Sequence, residues 1–304
     1  MGGAKWSQSY TPIASLPSVM DFVKAPDLLK NLVAAGKTKS ELGLKDLFLR
    51  GTLSGALLGV ATTLAMTATA QTNTPLIGAL IFPIGFVMIV VLGLELVTGS
   101  FAVVPLAAID GETSWGRVCN NLLVVFFANL IGSMAYGLLY YLSVTTFGTD
   151  APTGIAPKIA ALAEAKTIAY AAHGWAGLGT VFVKAILCNW LVCLGVVMAF
   201  TSHSTIGKIM GAWLPITTFF AQGFEHSVVN MFVIPTGMLF GAKVNIAQWW
   251  LWNQLPVTLG NLVGGLLFTG LFLYWTYKPA RSASVVTNVN GGTDVPASID
   301  PVRA

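Results

Sequence analysis

Two short stretches hold the residues that could do chemistry in an otherwise apolar chain: GLELVTGS at 93–100 and GFEHSVVNMF at 223–232. The second sets Glu225 and His226 side by side, and the first places Thr98 three residues after Glu95. A carboxylate at the centre of a bilayer costs about 2.5–3.5 kcal/mol on insertion scales. Each glutamate therefore needs a partner, and the free N–H groups at the start of a half-helix are the expected one. A structural role at a helix break is the reading preferred for both Glu95 and Glu225. His226 is the stronger functional candidate, because its neighbours Phe224, Val228 and Val229 are apolar and an ionisable ring inside a span is functional by default. A neutral imidazole can donate one hydrogen bond to an anion, or take up a proton and pass it on. The plainer alternative is a core histidine satisfied by a backbone carbonyl. His203, in the polar loop TSHSTIGK, and His173 default to surface roles.

The elements that must hold these residues are membrane helices. Of 304 residues, 55% are hydrophobic and only 9% charged, against about 25% charged in a soluble domain. Six stretches reach the roughly 20 apolar residues of a span: 48–70, 76–109, 118–144, 180–200, 209–240 and 255–277. The second and fifth are too long for one straight crossing, and both carry the polar interruptions just described. Residues 1–47 read as a cytoplasmic arm with an amphipathic helix near 18–35, and lack the apolar stretch that a cleaved signal peptide needs. Residues 48–279 form the six-span domain, and 280–304, rich in Ser, Val, Gly, Asn and Pro, read as a disordered cytoplasmic tail. The first 50 residues hold seven of the 16 Lys and Arg. With six spans, that arm shares one side with Arg117, Lys208 and the tail. Only Lys158, Lys166, Lys184 and Lys243 fall on the other. Basic segments stay inside, so both termini are expected in the cytoplasm. A net charge of +4, dispersed, excludes a nucleic-acid partner. The three cysteines show no metal-ligand spacing and read as packing residues; no metal or cofactor is expected.

The chain repeats itself. GLELVTGSFAVVP from Gly93 and GFEHSVVNMFVIP from Gly223 share a glycine, a glutamate two residues later and a proline ten residues after that. ANLIGS around Asn129 and GNLVGG around Asn261 follow the glutamates by 34 and 36 residues. Three spans per half is an odd number, so the second half must be inverted relative to the first, with a substrate site expected near the midplane. The fold class is then an all-α membrane protein: six transmembrane helices as an inverted 3+3 repeat, spans two and five broken.

These motifs, with WGRVCNN at 115–121, ILCNWLVCLGVVMA at 186–199 and PVTLGNLVGG at 256–265, resemble the formate/nitrite transporter family over about 44–277. The resemblance implies an aquaporin-like fold, a homopentamer with one pore per protomer, and passage of small monovalent weak-acid anions. It also implies roles for particular residues. His226 becomes the central pore histidine with Thr98 opposite, Asn189 and Asn261 the pore-facing asparagines, and Phe82, Phe86 and Phe219 the apolar constrictions. A vestibule lysine falls at Lys166 by local wording, whereas a spacing of 16 residues before Asn189 lands on His173; Lys166 is preferred.

A dry pore strips an anion of hydration, at a penalty of several kcal/mol. Transport is therefore expected to be pH-dependent, with a hydrogen bond or proton from His226. Nitrite is the modest favourite and formate the next, with bicarbonate, hydrosulfide and lactate as alternatives. An aquaporin-type channel for neutral solutes needs paired Asn-Pro-Ala motifs, where this chain has Thr-Gly-Ser and Val-Asn-Met. An enzyme needs a nucleophile–base pair or a metal cluster, and neither spacing is present. A bacterial plasma membrane is the expected location.

Overall fold

The computed structural model describes residues 21–278. In lipid every backbone polar group must be satisfied within the protein, and the chain meets this with helices; the described residues add only one isolated bridge, Phe22 to Ser202. Among the described residues, four helices are long and apolar enough to cross a membrane: α2 (Leu44–Thr72), α6 (Trp115–Val144), α9 (Gly174–Phe200) and a composite last helix, Ile246–Tyr277. The last comprises α12 (Ile246–Trp249), α13 (Leu255–Val263) and α14 (Phe272–Tyr277), joined by π-helical turns at Trp250–Gln254 and Gly264–Leu271.

The two long stretches with polar interruptions are broken helices. The first consists of α3 (Pro75–Ile81), α4 (Pro83–Val91) and, after a gap, α5 (Val97–Ile109). The second consists of α10 (Thr205–Ala221) and α11 (Ser227–Leu239). At each gap the chain turns on a glycine in the left-handed region, Gly93 at φ 63° and Gly223 at φ 65°, a conformation that side chains with a Cβ resist. Pro105 and Pro235 sit inside the second half-helices.

Close backbone approach holds the long helices together. A Cβ at Gly55 would strike Asn129 O, and one at Gly132 would strike Thr52 O, so α2 and α6 meet with nothing between them. Between α9 and the last helix, Gly260 and Gly264 face Phe182 O and Ile186 O in the same way. Small residues at such crossings let van der Waals packing act without a hydrophobic drive between helices. The main core gathers around the breaks, with Phe82, Phe86, Leu96, Val97, Phe219, Val228 and Phe232 all buried.

Several boundaries differ from the sequence expectation, the last span beginning at Ile246 and not at 255. The amphipathic helix is α1 (Ala25–Ser40), not 18–35, because Pro26 fixes its first turn; residues 18–20 lie outside the described residues, as does the tail 280–304. The third loop is itself partly helical, carrying α7 (Ala156–Ala165) and α8 (Ile168–Ala171), and the fourth span starts at Gly174.

Candidate functional site

The breaks place matching groups at two ends of one buried zone. Leu96 and His226 are the caps of α5 and α11, with nearly the same backbone: φ −120°, ψ 118° and φ −113°, ψ 120°. Asn129 Oδ1 accepts from Val97 N at 2.9 Å, and Asn261 Oδ1 accepts from Ser227 N at 2.9 Å. Each amide then donates twice. Asn129 Nδ2 reaches Gly51 O and Glu95 O at 2.8 and 3.0 Å, and Asn261 Nδ2 reaches Ala185 O and Glu225 O at 2.8 and 2.9 Å. Asn261, expected to face the pore, has its amide engaged by backbone and is fully buried. It positions the break, as Asn129 does in the other half. Asn189 Nδ2 donates to Thr98 O at 3.0 Å and Asn261 O at 2.6 Å, while its Oδ1 is left without a partner.

Thr98 and His226 meet, one from each broken helix, 128 residues apart in sequence: Thr98 Oγ1 lies 3.0 Å from His226 Nε2. The ring's other nitrogen, Nδ1, accepts from Val229 N at 3.2 Å and so caps α11. An acceptor at Nδ1 assigns the proton of the neutral ring to Nε2, and Nε2–H donates to the threonine oxygen. The counterpart of His226 in the first half is Leu96, which has no such group. Phe219 stacks on the imidazole with ring centroids 5.7 Å apart, and Phe82 packs edge-on against Phe219 at 5.8 Å. Of the expected apolar residues, Phe219 lies on His226 and Phe82 lies behind Phe219. Phe86 lies further along, lining a cavity of about 180 Å³ with Lys39, Leu94, Phe200 and Lys208.

Each glutamate is paired with a lysine. Lys166 Nζ is 2.8 Å from Glu225 Oε2, and Lys39 Nζ is 2.7 Å from Glu95 Oε1. Glu225 also accepts from Tyr170 Oη at 2.9 Å and from Asn230 Nδ2 at 2.8 Å. Of the two candidates for the vestibule cation, Lys166 reaches the site, whereas His173 is exposed at the start of α9 with no capping bond. Backbone N–H groups were the expected partners of the two carboxylates; side-chain ammonium groups hold them instead.

Sequence reading missed Lys39, Asn121, Asn230, Asn253 and Tyr170. The usable signal was the repeat: Asn121 and Asn253 each precede their breaking asparagine by eight residues. Both donate to the backbone carbonyl of a paired lysine, Asn121 to Lys39 O at 2.9 Å and Asn253 to Lys166 O at 2.8 Å. Among the described residues no three His, Cys, Asp or Glu side chains cluster as a metal would require. Cys188 and Cys193 are buried and unbridged.

The comparisons with known proteins agree with one another. The family described as formate/nitrite transporter matches residues 26–275. A probable formate transporter of Methanothermobacter thermautotrophicus is 35% identical, covering 84% of this chain and 97% of that protein. The formate channel FocA of Escherichia coli strain K12 is 31% identical, covering 76% and 86% respectively. Among solved structures, an FNT family ion channel superposes with a TM-score of 0.73 at 28% identity, covering 83% of this chain and 99% of that one. A pentameric formate channel with formate bound gives a TM-score of 0.62 at 28% identity, covering 77% and 97%. The chain is an integral membrane protein of an anion-transporting group, and it belongs to the formate/nitrite transporter family.

Proposed function

We propose that each protomer conducts a small monovalent weak-acid anion past the Thr98–His226 pair, and that the anion crosses the apolar zone together with a proton. The observation that carries this reading is the buried hydrogen bond between Thr98 Oγ1 and His226 Nε2 at the junction of two broken helices. The ring of Phe219 stacks on the imidazole, and Phe82 packs edge-on against Phe219. An anion in such a zone loses its water, which a bare charge cannot do cheaply. The neutral acid can. The Nε2–H, exchanging Thr98 Oγ1 for an oxygen of the acid, then replaces a bond to the water left behind.

The geometry favours His226 as donor of a hydrogen bond over donor of a proton. Its Nδ1 lone pair is committed to Val229 N, so protonating the ring displaces the cap of α11. A neutral ring that surrendered its Nε2 proton would become an anion itself. The proton that accompanies the substrate comes from solution, and transport rises as pH falls.

Lys166 and Lys39, each bound to a glutamate at its own end of the pathway, attract the anion toward the mouths. The supporting fold is six crossings arranged as inverted triplets in an aquaporin-like shape, with both termini on the cytoplasmic face of a bacterial inner membrane. Formate is placed first as substrate, because the relatives named above are formate transporters and channels by name, with nitrite second. The assembly is a homopentamer, by likeness to the formate-bound relative, itself a pentameric channel. The apolar stripe of Leu123, Phe127, Ile131, Met134 and Leu138 along α6 is exposed and available to lipid or a neighbouring copy.

Reconstituted protein tests this with an uptake panel of formate, nitrite, bicarbonate, hydrosulfide and lactate. Formate uptake should be accompanied by movement of one proton, read as a change in lumenal pH, with no net current. A steady current carried by formate with no proton movement would favour direct anion flow instead.

A further inference from the structure

The hydrogen-bonded set around each glutamate–lysine pair repeats in the two halves, but at one of its positions the first half lacks a donor. In the second half Asn230 Nδ2 reaches both Glu225 Oε2 and Asn253 Oδ1, each at 2.8 Å. The first half supplies the corresponding carboxylate, Glu95, and the corresponding asparagine, Asn121, in the same relation to its lysine. At the place of Asn230 it has Ser100: both residues follow their glutamate by five positions. A serine is too short to bridge the other two. Glu95 Oε2, Ser100 Oγ and Asn121 Oδ1 are accordingly all buried without a hydrogen-bond partner, in residues exposed by 2%, 0% and 0%. The Asn121 amide is not free to turn and help, because Lys39 O takes its Nδ2.

An unpaired buried polar atom costs about 1–3 kcal/mol, more if charged, so three of them, on the residues that correspond to the bonded trio Glu225, Asn230 and Asn253, call for a ligand. We propose that one water molecule is bound between Glu95, Ser100 and Asn121, doing for the first half what the side-chain amide of Asn230 does for the second. Water fits the donor count: it gives one hydrogen bond to Glu95 Oε2 and one to Asn121 Oδ1, and accepts one from the Ser100 hydroxyl. About three bonds is usual for a buried water, and the roughly 30 Å³ it occupies is of the order of the bulk separating serine from asparagine.

A monovalent cation is the rival ligand for a cluster of oxygens. Lys39 Nζ, 2.7 Å from Glu95 Oε1, already supplies the positive charge, and three oxygens fall short of the roughly six that hard cations take. Protonating Glu95 would also provide a donor, but would break its ion pair. One consequence is asymmetry: the Lys39–Glu95 pair is steadied by an exchangeable molecule, and the Lys166–Glu225 pair by a covalently attached amide.

The test is a map of the whole protein at a resolution that shows waters, recorded with sodium and with choline in its place, for the unsubstituted chain and for Ser100→Asn. The expected result is a peak about 2.8 Å from the three oxygens in both buffers. In Ser100→Asn the side-chain amide takes its place, with a Tm no lower than that of the parent. A map that resolves waters elsewhere but none here, or a peak that vanishes with sodium, overturns the proposal. Should Ser100→Asn not fold, the map of the unsubstituted chain decides alone.

Discussion

At the scale of single residues, the site is a set of polar side chains whose hydrogen bonds are nearly all spent on holding other groups in place. Asn129 and Asn261 each satisfy three backbone atoms across a break. Replacing either with alanine strands those atoms, each worth about 1–3 kcal/mol. Asn129→Ala and Asn261→Ala are therefore expected to lower the Tm by similar amounts, about 5 °C or more, as measured by thermal unfolding in detergent. The charge pairs make a second prediction. Lys166→Met leaves Glu225 buried without its cation, a loss of about 3–5 kcal/mol for a buried pair, whereas Lys166→Met with Glu225→Gln removes both charges. The double variant should be the more stable of the two by the same thermal measurement. His226 and Thr98 were legible as candidates because ionisable and hydroxyl groups stand out in an apolar stretch. That they face each other follows from the family resemblance alone, since 128 residues separate them. The resemblance implies a pore-facing Asn261, and no sequence sign shows that its amide also bonds backbone across the break.

At the scale of elements, the breaks and the crossings are held by glycines for two different reasons, and substitutions separate them. Gly223 needs a left-handed backbone but has open space where a Cβ would stand, so Gly223→Ala carries only conformational strain of about 1–2 kcal/mol. Gly132 has ordinary helical geometry, yet its Cβ would collide with Thr52 O on α2. Gly132→Ala must push two long helices apart, and a larger fall in Tm than for Gly223→Ala is expected. The segment before α1 is tied down by Asp21, whose carboxylate accepts from Ser202 Oγ, His203 N and Ser204 N at 2.8, 2.9 and 2.7 Å. The Ser202 hydroxyl first, and then the Ser204 backbone N–H, hold this carboxyl below the usual range. A depressed folded value means that the contribution is complete above the ordinary carboxylate value of about 3.9 and is lost only as pH falls below it. Protease sensitivity around residues 21–24 should thus stay flat from neutral pH down to about pH 5, and Asp21→Ala should raise it at neutral pH. The helix breaks could be read from Gly-x-Glu followed by proline. The pairing of Lys39 with Glu95 could not, because that lysine lies in a charged arm 56 residues from its partner.

At the scale of the whole molecule, the internal repeat explains why a chain with few polar residues can build two equivalent ends. Each half brings its own glutamate, lysine and pair of asparagines, and the halves differ where function needs them to. Leu96 corresponds to His226, so only one of the two break caps carries a ring nitrogen. The composition announced a membrane protein, and the spacing of the repeat announced two halves. The third loop was harder to read, since α7 and α8 are short, alanine-rich helices that pack chiefly on α11 and α9 respectively. Formate flux through proteoliposomes containing His226→Phe, at neutral and acidic pH and with the oligomer shown intact, tests the central claim most directly. Loss of the Nε2 donor should lower the flux at least about tenfold, the factor for about 1.4 kcal/mol of a buried hydrogen bond. Flux unchanged from the parent at both pH values would contradict a route past the histidine.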